Sequence, residues 1–178
     1  MTEGNDSTQR GPTGREPVAG RPDMPGYGIA QDLDGLLPWS WAVERLERTR
    51  NYWLSTTTPG GSPHSMPLWG VWLDDRLFVS TGRRSRKYRN LMADPRCVAT
   101  TGDGEEPVVL EGTAREVGTT SQRERFPAFV AAYSVKYDFD VTAMDEPLLE
   151  VRPSVAFGLV EQADQFPVSA TRWIFDPT

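Results

Sequence analysis

The alternation of apolar and polar residues sorts much of the chain into short strands. Tyr52-Trp53-Leu54-Ser55-Thr56-Thr57 changes character about every second residue, as a strand with one buried face does. The turn residues Thr58-Pro59-Gly60-Gly61-Ser62 separate it from a second strand, Pro63 to Leu73, rich in Trp, Val and Leu. Asp74-Asp75-Arg76 then turns the chain into Leu77-Phe78-Val79-Ser80-Thr81. Three strands joined so closely predict an antiparallel meander. Further strands are predicted at Cys97 to Thr101, at Pro107 to Val117 around Gly112, near Leu149 to Arg152, near Ala156 to Val160, and at Thr171 to Phe175.

Elsewhere the period lengthens to that of a helix. In residues 36–48, Trp39, Val43 and Leu46 share a face, Ser40 is placed to cap the start, and Glu44 and Arg48 form an i,i+4 pair. Lys87 to Ala93 carries Tyr88, Leu91 and Met92 at helical spacing and stops at Asp94-Pro95, because a residue before proline is pushed out of the α region. Residues 123–137 place Phe126, Phe129, Val130, Tyr133 and Tyr137 on a helix, with Pro127 in the first turn. Seven or eight mostly antiparallel strands with two or three helices predict a mainly β fold, a small barrel or sandwich with helices outside it.

Residues 1–35 hold seven Gly and four Pro with almost no apolar periodicity, so they are read as a disordered tail ahead of one domain over 36–178. The net charge of −6 disfavours a nucleic-acid partner. One cysteine and one histidine, His64, exclude a disulfide framework and the usual zinc sites, so no metal is expected. His64 itself reads as a core or groove residue. No apolar run approaches the ~18 residues of a membrane span, and the N-terminus lacks a signal-type segment, which predicts a cytoplasmic protein with no membrane partner.

Against that acidic background one segment stands apart: Ser80-Thr81-Gly82-Arg83-Arg84-Ser85-Arg86-Lys87-Tyr88-Arg89-Asn90-Leu91. It carries five of the chain's cations between a predicted strand and a predicted helix. Cations at a helix start oppose the helix dipole, so an anion is expected there. Ser85 can cap the helix, Arg86 can grip as a fork and Lys87 as a point charge, which together suit one phosphate group. Neither a Walker-type loop nor a dinucleotide glycine fingerprint is present. A mononucleotide such as a flavin, with one phosphate and a large flat ring, fits better.

The run from Arg50 to Val117 resembles the pyridoxamine-phosphate-oxidase-like split-barrel family of flavin and deazaflavin enzymes, in an actinobacterial type of branch. The matching residues include Tyr52-Trp53-Leu54-Ser55-Thr56, Gly61 to Trp69, Leu77 to Gly82, Ser85-Arg86-Lys87, Asn90-Leu91, Asp94-Pro95-Arg96 and Val109 to Gly112. The resemblance implies a split β-barrel that binds FMN or the deazaflavin F420 as a homodimer. It implies oxidoreductase activity, with hydride transfer to or from a small organic substrate. By the same resemblance Arg86 and Lys87 grip the phosphate, and Ser80 and Thr81 line it and the ribityl chain, beside the Ser85 hydroxyl read above from its capping position. Met66 and Leu68 lie on the strand that donates backbone hydrogen bonds to the ring, and Trp173 covers the cofactor. No catalytic residue is singled out. Arg83, Arg84 and Arg89 offer extra cations for the charged tail of F420, which leans the reading towards the deazaflavin. The chain ends without the Arg/His pair of the vitamin-B6 oxidases, which argues against pyridoxal-phosphate synthesis. The alternative is a non-catalytic FMN- or haem-binding split-barrel protein.

Overall fold

The structure is a computed structural model, and it describes residues 16–176. Its elements run β1 (Val18–Gly20), α1 (Trp39–Arg48), β2 (Asn51–Thr57), β3 (Pro63–Leu73), β4 (Arg76–Ser80), α2 (Arg86–Ala93), β5 (Arg96–Thr100), β6 (Val108–Thr119), α3 (Pro127–Tyr137), β7 (Pro147–Gly158), α4 (Phe166–Ser169) and β8 (Thr171–Ile174). The meander forms where the turn chemistry places it. Asp74 and Asp75 both take positive φ, 50° and 55°, as a two-residue hairpin demands, and Leu73 pairs with Arg76 across it.

Strands β7-β4-β3-β2-β5-β6 are hydrogen-bonded in that order, and β6 returns to β7 to close an antiparallel barrel of six; β8 and β1 extend the sheet beyond β7. This is the mainly β fold the strand pattern predicts, and of barrel and sandwich it is the barrel, as the family resemblance implies. Among the described residues it carries four α-helices rather than two or three, the added one being the single turn α4. Two expected strands, near 149–152 and 156–160, are one continuous β7. Pro153 interrupts the apolar pattern without interrupting the strand. It lies at a register shift beside Gly112 of β6, where the ladder does not need its missing N–H. The third helix starts at Pro127 rather than near 123, with the proline in its first turn. Helix α1 starts at Trp39, so Pro38 and not Ser40 holds the cap position.

Burial follows the strand alternation. Tyr52, Leu54, Leu68, Trp72, Leu77, Val79, Leu110, Leu149 and Val151 point into the barrel, and Trp39 and Leu46 of α1 pack onto the same core. The outer face of β3 and β4 is covered by α3 through Val71, Phe129, Tyr133, Tyr137 and Leu148. Trp69 and Trp72, an odd number of residues apart, fall on opposite faces. Trp72 is in the core, while Trp69 stacks on Tyr137 outside the barrel, 4.5 Å between ring centroids at 10°.

Of the expected tail, residues 1–15 lie outside the described residues, and residues 16–35 are not disordered. Val18–Gly20 pairs with β8. The Arg21 guanidinium donates to four backbone carbonyls, Asp32 at 2.8 Å, Asp34 at 2.7 Å, Val168 at 2.6 Å and Ala170 at 3.1 Å. One cation binding that many carbonyls replaces the apolar burial that the segment lacks. No helix among the described residues is long and apolar enough to cross a membrane.

Candidate functional site: the β4–α2 turn and the open edge of β3

The basic segment folds as the capping residues require. Ser85 is the N-cap of α2, and its Oγ accepts from the Tyr88 N–H at 3.2 Å. The Thr81 hydroxyl donates to Ser85 Oγ at 3.1 Å, and the Ser85 N–H closes the turn on Gly82 O at 2.8 Å. Thr81, Ser85, Arg86 and Lys87 are thereby held in one turn at a helix N-terminus, with Ser80 at the end of the strand before it. Substituting Ser85 with alanine is expected to cost about 1 kcal/mol of stability, the ordinary value of a serine cap, measured by urea denaturation.

The cations do not act as one group. Arg83 forks onto Glu116 of β6, with N–O distances of 2.7 and 3.0 Å, and also donates to the Tyr88 hydroxyl at 2.7 Å. Tyr88 in turn donates to Glu116 at 2.5 Å. The Arg83 fork, helped by Tyr88 and outweighing partial burial, holds the Glu116 carboxyl below its ordinary range. The hydrogen bond to Glu116 pushes the Tyr88 hydroxyl up. Arg84, Arg86, Lys87 and Arg89 have no ion-pair partner among the described residues. Arg86 and Arg89, three apart on α2, line an open cleft of about 470 Å³ with Thr58, Pro59, Ser62 and Asn90. Lys87 lies 100° further round the helix, on the side of the buried Leu91. Asn90 anchors the helix to the barrel, its Nδ2 donating to Thr56 Oγ1 at 2.9 Å.

Beside this turn β3 has an open edge. The β3–β4 ladder covers Gly70–Leu73 only, so Pro63–Trp69 pairs on one side, with β2. Thr58 N–H donates to Ser62 O at 2.9 Å, and hydrogen-bonded pairs recur at every second residue of an antiparallel ladder. His64, Met66 and Leu68 therefore bond to β2. Gly70 agrees with that phase, since its N–H and C=O both meet the Tyr137 hydroxyl on the β2 side, each at 2.8 Å. The backbone groups turned to the open side are those of Ser65, Pro67 and Trp69, and Pro67 has no N–H to offer.

The expected site residues thus divide. Ser80, Thr81, Ser85, Arg86 and Lys87 fall on one strand–helix turn, with Arg86 and Lys87 on different sides of α2. Met66 and Leu68 lie on the right strand, but their backbone donors are taken by β2, and the Leu68 side chain is in the core. Trp173 has 0% exposure and packs edge-on against Trp39 at 5.4 Å. It is a core residue, and a side chain with no free surface cannot cover a ligand. Of the extra cations, Arg83 is committed to Glu116. Glu116, Tyr88 and the cleft-lining role of Arg89 were not singled out from the residues, since the Arg83–Glu116 pair spans 33 positions and leaves no local spacing to read.

The closed barrel of six strands, with a strand–helix turn beside the open edge of β3, defines the class of fold. The family model described as pyridoxamine 5'-phosphate oxidase matches residues 42–158, and the chain belongs to that family. Three solved structures share the fold. One, an F420 reductase, is 21% identical, covering 64% of this chain and 93% of that one, with a TM-score of 0.52. A pyridoxamine 5'-phosphate oxidase-related, FMN-binding protein from Nostoc punctiforme is 16% identical over 79% of this chain and 98% of that one, TM-score 0.54. HutZ, the haem storage protein from Vibrio cholerae, is 18% identical over 62% and 85%, TM-score 0.53. At such identities the likeness is one of fold. No curated protein matches the chain.

Proposed function

We propose that this chain is an oxidoreductase that holds a phosphate-bearing flavin or deazaflavin, F420 or FMN, on the β4–α2 turn. The observation that carries the reading is the set of four cations, Arg84, Arg86, Lys87 and Arg89, gathered at a helix N-terminus without ion-pair partners among the described residues. Unpaired like charges repel one another and oppose the helix dipole, so a bound phosphate stabilises the turn as well as itself. The residues fit such a group: Ser85 and Thr81 present hydroxyls, Lys87 a point charge and Arg86 a fork. The open side of Pro63–Trp69 offers the Ser65 and Trp69 N–H groups to the edge of a flat ring.

When bound, the ring supplies hydride chemistry, passing two electrons and a proton to or from a small organic substrate. The chain's part is to bind the phosphate, orient the ring along β3 and shape the space beside it. No acid or base of this chain is assigned to the reaction. Partly exposed Trp53, Met66 and Trp69, at 45%, 46% and 39%, support a homodimer formed near this edge. A cytoplasmic location goes with this reading.

Fluorescence titration of the purified protein with F420 and with FMN tests the proposal. Submicromolar binding of one of them is expected. Arg86→Ala and Lys87→Ala should each weaken it by about 1.5–3 kcal/mol, the worth of a hydrogen bond to a charged group. Unchanged affinity in both variants, or no binding of either cofactor, overturns it. The second reading, a non-catalytic carrier, draws on the haem storage protein of the same fold and on the single histidine, His64, on the half-open strand. Haem binding that is lost in His64→Ala, together with no binding of F420 or FMN, would establish it.

A further inference from the structure

One side of the barrel wall turns apolar residues outwards. Across β8, β7 and β6, Arg172, Phe157 and Val109 pair in one row, and Ile174, Val155 and Glu111 in the next. Trp173, Ala156 and Leu110, between the rows, fill the core, so both rows face out. The same face runs on through Val98 of β5 to Trp53 of β2. An antiparallel sheet that faces water carries polar residues at its outward positions. Here they are mostly apolar, and Ile174 and Trp53 stay 44% and 45% exposed. Val155, Phe157 and Val109 belong to neither apolar cluster, since α3 covers the barrel elsewhere, over β3 and β4. Two charges interrupt this face. Arg172 has no ion-pair partner among the described residues, and its Nε is buried with no acceptor. Glu111 is exposed and has no ion-pair partner among them either. Arg96, two residues before Val98, is already bound to Asp94 at 2.6 Å.

Resting on the homodimer reading above and deepening it, we propose that two copies of this chain pack face to face on this side of the barrel, with Arg172 of each copy paired to Glu111 of the other. The two residues lie two strands and two positions apart, about 12 Å along the sheet, and do not meet within one chain. A two-fold axis in the plane of contact, crossing midway between them, forms the pair twice, because a two-fold interface brings the same two positions together from both copies. One cation and one anion make such a surface complementary to itself, whereas two like charges would make it repel. The carboxylate gives Arg172 Nε the acceptor it lacks, and a buried donor without one is costly. The apolar rows supply the burial, and the ion pair sets which of the ways of stacking them is taken.

Sedimentation equilibrium of the full chain, which reads the dimer dissociation constant, is the test. Wild type is expected to be a dimer. Arg172→Glu and Glu111→Arg each set like charges against each other twice in the interface, and each should raise the dissociation constant at least about a hundredfold. Glu111→Gln, which keeps the shape and removes the charge, should raise it about tenfold. The double reversal, Arg172→Glu with Glu111→Arg, forms the pair again with its signs exchanged and should return to within about tenfold of wild type. A loss of structure does not produce that pattern, because a second substitution would not reverse it. A dimer that persists unweakened in both single reversals and in Glu111→Gln overturns the proposal and leaves the homodimer reading standing, as does a double reversal no tighter than the single ones. A wild type that stays monomeric overturns both, while the F420 and FMN titrations still decide the cofactor separately.

Discussion

Trp173→Ala is expected to cost about 3–5 kcal/mol of folding stability, the range for deleting a large aromatic from a core. Trp173 is fully buried, with its ring 5.4 Å from that of Trp39. The Trp173 ring lies over Gly158, where a Cβ would come within 2.9 Å of it, so the indole fills its space with little slack. It pairs with Ala156 of β7, and so joins the outer strand β8 to the barrel core. Equilibrium denaturation in urea measures the loss. The cofactor affinity of the folded fraction should be unchanged, because the side chain has no surface to offer a ligand. A variant of near wild-type stability that fails to bind F420 or FMN would return Trp173 to a ligand-facing role.

Gly112→Ala is expected to be at least as damaging, more than about 3 kcal/mol, since overpacking against backbone cannot be relieved by a rotamer change. A Cβ at this position would lie 2.0 Å from the Arg152 carbonyl oxygen and 2.8 Å from Pro153 Cα. The strain would fall on the pairing of β6 with β7, which closes the barrel. Gly104→Ala is the control: its Cβ meets nothing within 4 Å, and a change within about 0.5 kcal/mol is expected. Thermal and urea unfolding of both variants decide the matter, and a Gly112→Ala protein as stable as the control would show that the bulge can open.

The local part of the fold was legible because its causes are local. Alternation placed β2, β3 and β4, and the short turn read at Asp74-Asp75-Arg76 predicts the antiparallel pairing of the last two, although Arg76 belongs to β4 and the turn is Asp74-Asp75 alone. Ser85 as a helix cap, the stop at Asp94-Pro95 and the position of Pro127 are all decided by neighbours within a turn. The cation-rich turn was legible for the same reason: Thr81, Ser85, Arg86 and Lys87 are near neighbours along the chain, so any strand-to-helix turn keeps them close.

What is not contiguous was misread or missed. Residues 16–35 look like a tail by composition, and they are ordered by Arg21 and by pairing with β8, a partner about 150 residues away. Trp173 is placed over the cofactor by resemblance alone, whereas the barrel buries it completely. Met66 and Leu68 lie on the expected strand, but which of its residues turn their backbone to the open edge depends on ladder phase, and the apolar pattern carries no phase.

The sequence by itself determined the class of fold, the strand–helix turn rich in cations and the family to which the chain belongs, because each rests on short-range pattern. Tertiary structure alone decided which cations remain available. Arg83, Arg84, Arg86, Lys87 and Arg89 are equivalent by composition. They differ because β6 carries Glu116 to Arg83 across 33 residues, and an ion pair forms by distance in space and not by spacing along the chain.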